Sequence, residues 1–215
     1  MRLGLPLWLV LVLGCVLGAL VLAPADASTG PRLKVYVGYM DTHTMPMSRR
    51  QPHPWPYRQP RHFVGSPCAH YGTSIQCWDA SAVRLDNQGP RPVRVHVTVL
   101  IGRRVYDLWG RRVVRAGKRL VLTETGARNS QNFDGSDFPP NDYDGGNRAS
   151  CENSGAIPRV RVQIGRATRV YRDRDQVLNT GGVDAGHCRH GHYVAQRRDE
   201  SRPWSLIRTF VHPSR

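Results

Sequence analysis

Short stretches of alternating apolar and polar residues follow one another along much of the chain. In RLKVYVGYM, residues 32–40, apolar side chains occupy every second position from Leu33 to Tyr39. The same alternation recurs in residues 91–102, which contain four valines at alternate positions. A period of two is typical of a β-strand with one buried face. Both stretches are therefore predicted to be strands.

Seven further segments are predicted to be strands on the same grounds. Residues 87–90, Asn-Gln-Gly-Pro, have the composition of a hairpin connection between two of the strands, and Ile164-Gly165-Arg166 has that of another. Residues 116–118 are a further predicted turn. Helical periodicity over 11 or more residues is absent once the N-terminal 27 residues are set aside. The seven segments are residues 81–87, 104–110, 119–125, 157–165, 166–173, 176–182 and 203–210.

Short strands separated by regular turn signals indicate an all-β fold. The predicted architecture is an antiparallel immunoglobulin-like β-sandwich with long loops, formed by a single domain over residues 28–215. Residues 44–67 contain six prolines, which remove backbone donors and fix extended conformations. This proline-rich segment is predicted to be a surface loop.

The N-terminus carries the pattern of an export signal. Arg2 precedes an apolar run over residues 3–25, and Ala25-Asp26-Ala27 is a small-x-small cleavage pattern. Residues 1–27 are therefore predicted to be a signal peptide, and the protein is expected to be secreted or extracellular. Two alternatives remain: an uncleaved membrane anchor over residues 3–25, which is close to the roughly 20 residues that cross a bilayer, and lipid attachment at Cys15.

Positive charge dominates the composition. The chain has 31 Lys and Arg against 16 Asp and Glu, a formal net charge of +15. Only Lys34 and Lys118 are lysines, and the arginines are spread over every segment, many of them at outward strand positions. An exported chain has little access to intracellular nucleic acid, so no nucleic-acid partner is expected. The arginine content is interpreted chiefly as a compositional feature of the chain, and the partner is left open. The alternative is adhesion to a partner, which would be a cell-envelope polyanion, a glycan or a protein. The arginines predicted to be outward-facing are Arg94, Arg159, Arg161 and Arg169.

Four cysteines follow the predicted leader: Cys68, Cys77, Cys151 and Cys188. An even number in an exported chain indicates disulfides, and four cysteines allow three pairings. Pairing of Cys68 with Cys77 and of Cys151 with Cys188 is favoured, because each pair flanks turn-rich sequence. The spacing lacks the short Cys/His pairs of a zinc site.

Acidic residues concentrate in QNFDGSDFPPNDYDGG, residues 131–146. Calcium takes six to eight oxygen ligands, and Asp-x-Asp-x-Gly at residues 142–146 resembles the start of a calcium loop, although the full spacing and the closing Glu are missing. Turn chemistry is the alternative, because Asp, Asn, Gly and Ser are the residues that turns use. No other cofactor is indicated. The candidate calcium ligands are Asp134, Asp137, Asp142 and Asp144.

Two other clusters are candidates for binding. HCRHGH, residues 187–192, places three histidines around Cys188, a composition that can hold zinc or copper unless the cysteine is in a disulfide. Trp55 and Tyr57 in the proline-rich segment, together with Trp78, can form an aromatic platform for a sugar or a peptide. Aromatic residues also anchor long loops to the domains that carry them, and Trp109 is predicted to pack in the core.

Seven sequence segments carry a family resemblance. They are KVYVGY, DASAVRLDN, YDLWG, LVLTET, NFDGSD, IPRVRVQIG and QVLNTGGVD, in that order. The set, which spans most of residues 33–184, resembles uncharacterised exported bacterial proteins. Residues 79–125 are also similar to the lamin-tail type of immunoglobulin-like domain. The resemblance implies an exported sandwich and carries no catalytic motif.

The sequence therefore predicts a secreted module with a binding or structural role at the cell envelope or outside the cell. No catalytic residue is predicted, because neither a Gly-x-Ser-x-Gly nucleophile elbow nor a His-Glu-x-x-His motif is present. The alternative is an extracellular calcium-dependent carbohydrate-binding or hydrolytic domain.

Overall fold

The computed structural model describes residues 32–41, 62–65, 68–71, 74–77, 79–125, 133–136 and 151–211. Within these ranges every regular element is a strand, and none is a helix. The predicted all-β class is confirmed. The strands are β1 (Arg32–Met40), β2 (Phe63–Val64), β3 (Cys68–Tyr71), β4 (Ser74–Cys77), β5 (Ala80–Asn87), β6 (Val93–Ile101), β7 (Arg104–Tyr106), β8 (Arg111–Val114), β9 (Arg119–Leu122), β10 (Arg159–Ile164), β11 (Ala167–Arg172), β12 (Cys188–Arg189), β13 (His192–Tyr193) and β14 (Arg202–Val211).

Two larger sheets contain most of the strands. Sheet 1 has the order β14-β1-β5-β9-β2, and sheet 2 has the order β11-β10-β6-β7, with β8 also paired to β6. All of these pairs are antiparallel except β2 with β9. The hairpins β3–β4 and β12–β13 form two small sheets of their own.

One hydrophobic core joins the two larger sheets. The alternate residues of sheet 1 that are fully buried, such as Val35 and Leu85, cluster with Val97 and Val162 of sheet 2. Burial of each such side chain stabilises the fold by about 1.5 to 3 kcal/mol. Trp109 lies in this core, as predicted, and its indole N–H donates a 2.7 Å hydrogen bond to the carbonyl of Thr123.

A second, smaller cluster lies on the opposite face of sheet 1. Met40, Ala80, Ala82 and Val121 are at most 1% exposed and pack with Phe63 and Trp204. Both faces of the central part of sheet 1 are therefore covered, which explains why alternation is weak at the start of β5.

The hairpin predicted at Gly165 is confirmed. Strands β10 and β11 pair antiparallel up to Ile164 opposite Ala167, and Gly165 has a φ of 57°, which glycine adopts without strain. The turn at residues 116–118 is also present, with the Lys118 amide donating to the Arg115 carbonyl.

The hairpin predicted at residues 87–90 is wrong. Strands β5 and β6 belong to different sheets, so this connection crosses from one layer of the fold to the other. The Asn87 side-chain amide donates to the carbonyls of Arg91 and Val114 and fixes the crossing. Turn-forming residues occur both in hairpins within one sheet and in connections that cross between two sheets. The sequence alone does not distinguish these two kinds of connection.

The strand predicted at residues 176–182 is also wrong. These residues form consecutive turns, and Gln176 and Thr180 have φ values of 51° and 50°. The Asp173 carboxylate accepts a 2.8 Å hydrogen bond from the Leu178 amide, which holds the turns in place. Val177 and Leu178 are buried in the core, so their apolar character reflects burial of a loop.

Most of the proline-rich segment and all of residues 1–27 lie outside the described residues. The described part of the segment includes β2, which runs parallel to β9 with Phe63 opposite Val121. Gly65 follows with a φ of 87°, and a Cβ on it would lie 2.1 Å from the Glu124 carbonyl oxygen. This close approach requires glycine.

The described part of the chain contains no helix that is both long and apolar enough to span a bilayer.

A disulfide joins Cys151 to Cys188 and confirms that predicted pairing. The register of the β3–β4 hairpin places Cys68 directly opposite Cys77. Opposed strand positions bring two Cα atoms within the range that a disulfide spans. The predicted Cys68–Cys77 bond is compatible with this register and remains a prediction.

Candidate functional site

The outer face of sheet 2 collects arginines from four segments of the sequence. Alternate residues of β6 and β10 point into the core, so the residues between them point outward. Cross-strand pairing then brings the outward positions of β8 and β11 onto the same surface. We call this surface the arginine face, and it carries the exposed side chains Arg94, Arg111, Arg159, Arg161 and Arg172.

Register determines the spacing of these charges. Arg159 lies directly opposite Arg172 in the β10–β11 ladder, and Arg94 lies opposite Val113 in the β6–β8 ladder. Directly opposed Cβ atoms are about 4.5 to 5.5 Å apart, and alternate residues along one strand are about 6.6 Å apart. The five arginines thus start from closely spaced positions on one side of the sheet.

Little negative charge offsets these arginines. The five arginines of the arginine face form no ion pair with a carboxylate of the described residues. Among the described residues, two carboxylates lie near this surface. Asp107 lies 2.7 Å from Nε2 of His96, and Asp175 lines a surface depression together with Val170 and Arg172. Five guanidinium groups outnumber these two carboxylates, so the face is cationic.

Apolar side chains stand between the arginines. Val105, Val113 and Val170 are 50 to 61% exposed, and all three occupy outward positions of sheet 2. A flat sheet surface with isolated apolar residues among cations is suited to an extended ligand that has both charged and apolar parts.

Arg169 was predicted to be an outward-facing residue and is exposed, but it is not part of the arginine face. It lies opposite Val162, a core residue, and is therefore on the inner side of β11. Its exposure arises because β11 is an edge strand of sheet 2.

A group of polar and charged side chains is buried at one end of the fold, and we call it the Tyr39–Glu200 cluster. Tyr39 is an inward-facing residue near the end of β1, and its hydroxyl donates a 2.8 Å hydrogen bond to Oδ1 of Asp134. The same hydroxyl lies 2.8 Å from the Ser136 hydroxyl and 3.4 Å from Oε1 of Glu200. Burial, and then the negative charges of Asp134 and Glu200, raise the pKa of Tyr39 well above its ordinary value.

Arg197 completes this cluster from the loop before β14. Its guanidinium group contacts the Asp79 carboxylate, lies 2.9 Å from Oε1 of Glu200 and lies 3.7 Å from Oδ1 of Asp41. Three carboxylates thus surround one cation, an excess of negative charge in a buried environment.

Glu200 relieves part of that excess by holding a proton near neutral pH. Burial raises its pKa to about 7, with a further contribution from Asp184, while Arg197 acts in the opposite direction. The Glu200 side chain also accepts a 3.1 Å hydrogen bond from the Gly186 amide. Because Tyr39 and Asp41 are completely buried and Glu200 is 3% exposed, the cluster is closed to a substrate in this conformation.

The predicted calcium ligands fall mostly outside the described residues, which include Asp134 but not Asp137, Asp142 or Asp144. Oδ1 of Asp134 accepts hydrogen bonds from the Ser136 amide and hydroxyl at 3.0 and 2.8 Å, besides the one from Tyr39. The bond from the amide two residues ahead is the Asx-turn pattern, the turn chemistry that was the alternative to calcium. The calcium site remains a prediction for the other three aspartates.

The histidine cluster is spread over a small hairpin. The His187 ring stacks on Tyr193 with centroids 5.6 Å apart, while His190 occupies the turn with a φ of 50°. Cys188 is in the disulfide. Nowhere in the described ranges do three or more His, Cys, Asp or Glu side chains group as metal ligands. The predicted aromatic platform of Trp55, Tyr57 and Trp78 lies outside those ranges.

Neither group of side chains is recognisable from the sequence alone. Arg94, Arg159 and Arg161 are correctly predicted to face outward, but only the strand register shows that five arginines share one surface. Members of the Tyr39–Glu200 cluster are separated by up to 161 positions in the chain. The one signal available was the adjacent Asp199 and Glu200 in an arginine-rich tail.

Comparison of this chain with protein-family models, with curated proteins and with solved structures finds no match.

Proposed function

We propose that this protein is a secreted, non-catalytic β-sandwich module of immunoglobulin-like type that binds an anionic polymer at the cell envelope or outside the cell. The observation that carries the proposal is the arginine face, with five exposed guanidinium groups on one side of sheet 2. Clustered positive charge attracts polyanions and increases their rate of association.

The arrangement of the face supports a binding role because it is unfavourable for stability alone. Like charges directly opposite each other on a sheet destabilise the pair by roughly 0.2 to 1 kcal/mol. Arg159 and Arg172 are opposed in this way, and no carboxylate of the described residues pairs with either. A bound anionic polymer would remove this repulsion.

The closed state of the Tyr39–Glu200 cluster supports the non-catalytic part of the proposal. An enzyme brings perturbed acids together in a cavity that its substrate enters. Here the acid with the raised pKa, Glu200, is buried between Arg197 and the Gly186 amide. Its contacts tie the loop before β14 to the end of β1, which is a structural role.

Export of the protein is supported by the leader pattern of residues 1–27 and by the Cys151–Cys188 disulfide, since disulfides persist in oxidising compartments. The two-layer arrangement of antiparallel strands supports the immunoglobulin-like type.

Binding to immobilised heparin over a range of salt concentrations tests the function. We expect saturable binding that weakens as salt increases, because salt screens exposed charges. Replacing Arg159, Arg161 and Arg172 by Ala should weaken binding at least tenfold and flatten its salt dependence. The matched control replaces three exposed arginines that lie elsewhere, Arg32, Arg189 and Arg198. An equal loss in both triple variants would show that net charge alone drives binding and would overturn the proposal.

A further inference from the structure

A cationic cavity lies beside the arginine face, at the connection between the two larger sheets. The chain leaves β8 of sheet 2, turns through Gly117 and enters β9 of sheet 1. This turn and His62, just before β2, line a cavity of about 740 Å³ that is open to solvent. The described residues that line it are His62, Val113, Arg115, Gly117, Lys118, Arg119 and Leu120.

Geometry brings the three cations of this cavity together. Gly117 has a φ of 63°, and the Lys118 amide donates to the Arg115 carbonyl, so the chain reverses within three residues. Arg115 and Lys118 therefore flank a tight turn, and Arg119 starts the strand that follows it. None of the described lining residues is acidic.

The carboxylate opposite Arg119 in the strand register already forms an ion pair with another residue. Asp86 lies opposite Arg119 in the β5–β9 ladder. Both of its oxygens accept hydrogen bonds from the Arg84 guanidinium, at 3.0 and 2.9 Å. The Arg84 guanidinium also lies 4.0 Å from the centroid of the Tyr36 ring, a contact that helps to hold the Arg84–Asp86 ion pair in place. Asp86 is thus held by another cation and does not neutralise the cavity.

His62 lines the same cavity, and its Nε2 atom is buried. Among the described residues this nitrogen has no hydrogen-bond partner, although the backbone carbonyl of His62 accepts from the Val121 amide. Burial, and then the positive charge of Arg119, lower the pKa of this imidazole.

We propose that this cavity is a separate binding site for a phosphate or sulfate monoester carried on a group of sugar size. Arg115, Lys118 and Arg119 supply the charge, since a guanidinium binds oxyanions through two parallel N–H donors. The volume lies within the range of small-molecule sites, about 300 to 1,000 Å³, and exceeds what a bare oxyanion fills. Leu120 and Val113 provide the apolar wall for the organic part of the ligand.

Isothermal titration of the purified protein with glucose 6-phosphate tests the proposal, with glucose and sodium chloride as controls. We expect saturable binding of glucose 6-phosphate, weakened at least tenfold by Arg115→Ala combined with Lys118→Ala. Both side chains flank an exposed turn outside the core, and Arg32→Ala with Arg189→Ala is the matched control. Binding that is absent, or equal in the two double variants, would overturn the proposal.

The imidazole of His62 gives an independent readout. A bound oxyanion opposes the positive charge of Arg119, so saturating glucose 6-phosphate should raise the pKa of His62. An NMR titration of the His62 ring protons measures this pKa. Glucose should leave that pKa unchanged. A pKa of His62 that does not move with glucose 6-phosphate would contradict the proposed position of the ligand.

The same variants separate this site from the arginine face. The cavity variant should keep its binding to immobilised heparin, and the Arg159/Arg161/Arg172 variant should keep its binding to glucose 6-phosphate. Loss of glucose 6-phosphate binding in the arginine-face variant, with the cavity residues intact, would show that the cavity is not the site. Either of the two proposals can therefore fail without the other.

Discussion

Arg159 and Arg172 face each other directly across the β10–β11 ladder, and neither is paired with a carboxylate of the described residues. Their mutual repulsion lowers the stability of the hairpin that both strands form. A sheet optimised for stability alone would place opposite charges at these two positions. The pair therefore links the stability of the hairpin to the charge of the arginine face.

Arg172→Glu should have opposite effects on stability and on binding. The substitution replaces a repulsive pair by an attractive one, so the free energy of unfolding should rise by a few tenths to about 1 kcal/mol. Binding to heparin should weaken, because the arginine face loses two units of charge. Urea unfolding and heparin affinity measure the two effects. Arg32→Glu makes the same change of charge on sheet 1, and a similar gain of stability there would contradict the pairwise explanation.

Glu200 makes the stability of the protein depend on pH. Its pKa of about 7 in the folded state lies above its ordinary value of 4.5, so folding favours its protonated form. The stabilisation is complete below pH 4.5 and is lost as the pH rises through about 7, a change of about 3 kcal/mol.

The Glu200→Gln variant tests this dependence. Glutamine does not titrate, so the difference in unfolding free energy between the native protein and the variant should change between pH 5 and pH 8. Urea unfolding at both values measures it. Asp173, whose pKa burial also raises, is present in both proteins and cancels from the difference. A difference that is the same at both pH values would show that Glu200 does not titrate in this range.

The disulfide between Cys151 and Cys188 should contribute substantially to stability. It closes a loop with a sequence separation of 37 residues. In the chain-entropy model a loop of this length gives roughly 3 to 4 kcal/mol. Replacing both cysteines by Ala should lower the free energy of unfolding by about that amount and leaves no free thiol at either position. Comparison with the native protein under oxidising conditions measures it, and a loss under 1 kcal/mol would be inconsistent with the model.

Gly135 should tolerate no side chain. A Cβ there would lie 2.0 Å from the Leu178 carbonyl oxygen, a backbone atom that cannot move aside as a side chain does. The Gly135 amide also donates a 2.8 Å hydrogen bond to the Ser81 hydroxyl, which donates in turn to the Leu178 carbonyl. Gly135→Ala should destabilise the protein by roughly 1 to 3 kcal/mol or more.

The matched control for that substitution is Gly155→Ala. Gly155 has a φ of 63° and open space around it, so its cost is backbone strain alone, about 1 kcal/mol. Thermal unfolding of the two variants gives the comparison. Equal effects would mean that the contact between residues 133–136 and the turns at 176–182 is not rigid.

Strands were predictable from the sequence where one face of a strand is buried and the other exposed. In β10, and in β1 from Arg32 to Val37, the apolar period of two matches the burial pattern residue by residue. Residues 176–182 contain apolar side chains that are buried without being in a strand, because Asp173 and the glycines stabilise consecutive turns. Apolar residues show that a segment is buried, and they do not specify its backbone conformation.

Pairing between strands was much less predictable. The connection at residues 87–90 has hairpin composition, yet it joins two sheets, because the core requires β5 and β6 to face each other. The arginine face and the Tyr39–Glu200 cluster both depend on such pairings. Arg94 and Arg161 are recognisable one by one as outward-facing, but their common surface follows from register alone. Tyr39 and Glu200 meet because β1 pairs with β14, with Tyr39 opposite Arg202, which brings the loop before β14 to the end of β1. No local sequence pattern indicates this pairing.

The first and last described strands of sheet 1 pair with each other, with Val35 of β1 opposite Arg208 of β14. Protein synthesis proceeds from the N-terminus, so β1 is made long before the strand that covers its open edge. Until residues 202–211 emerge, the β1 backbone groups that bond β14 have no strand partner, and such an edge is prone to pair with other chains. Truncation within β14 is therefore expected to cause aggregation, even though every core residue of sheet 2 would still be present.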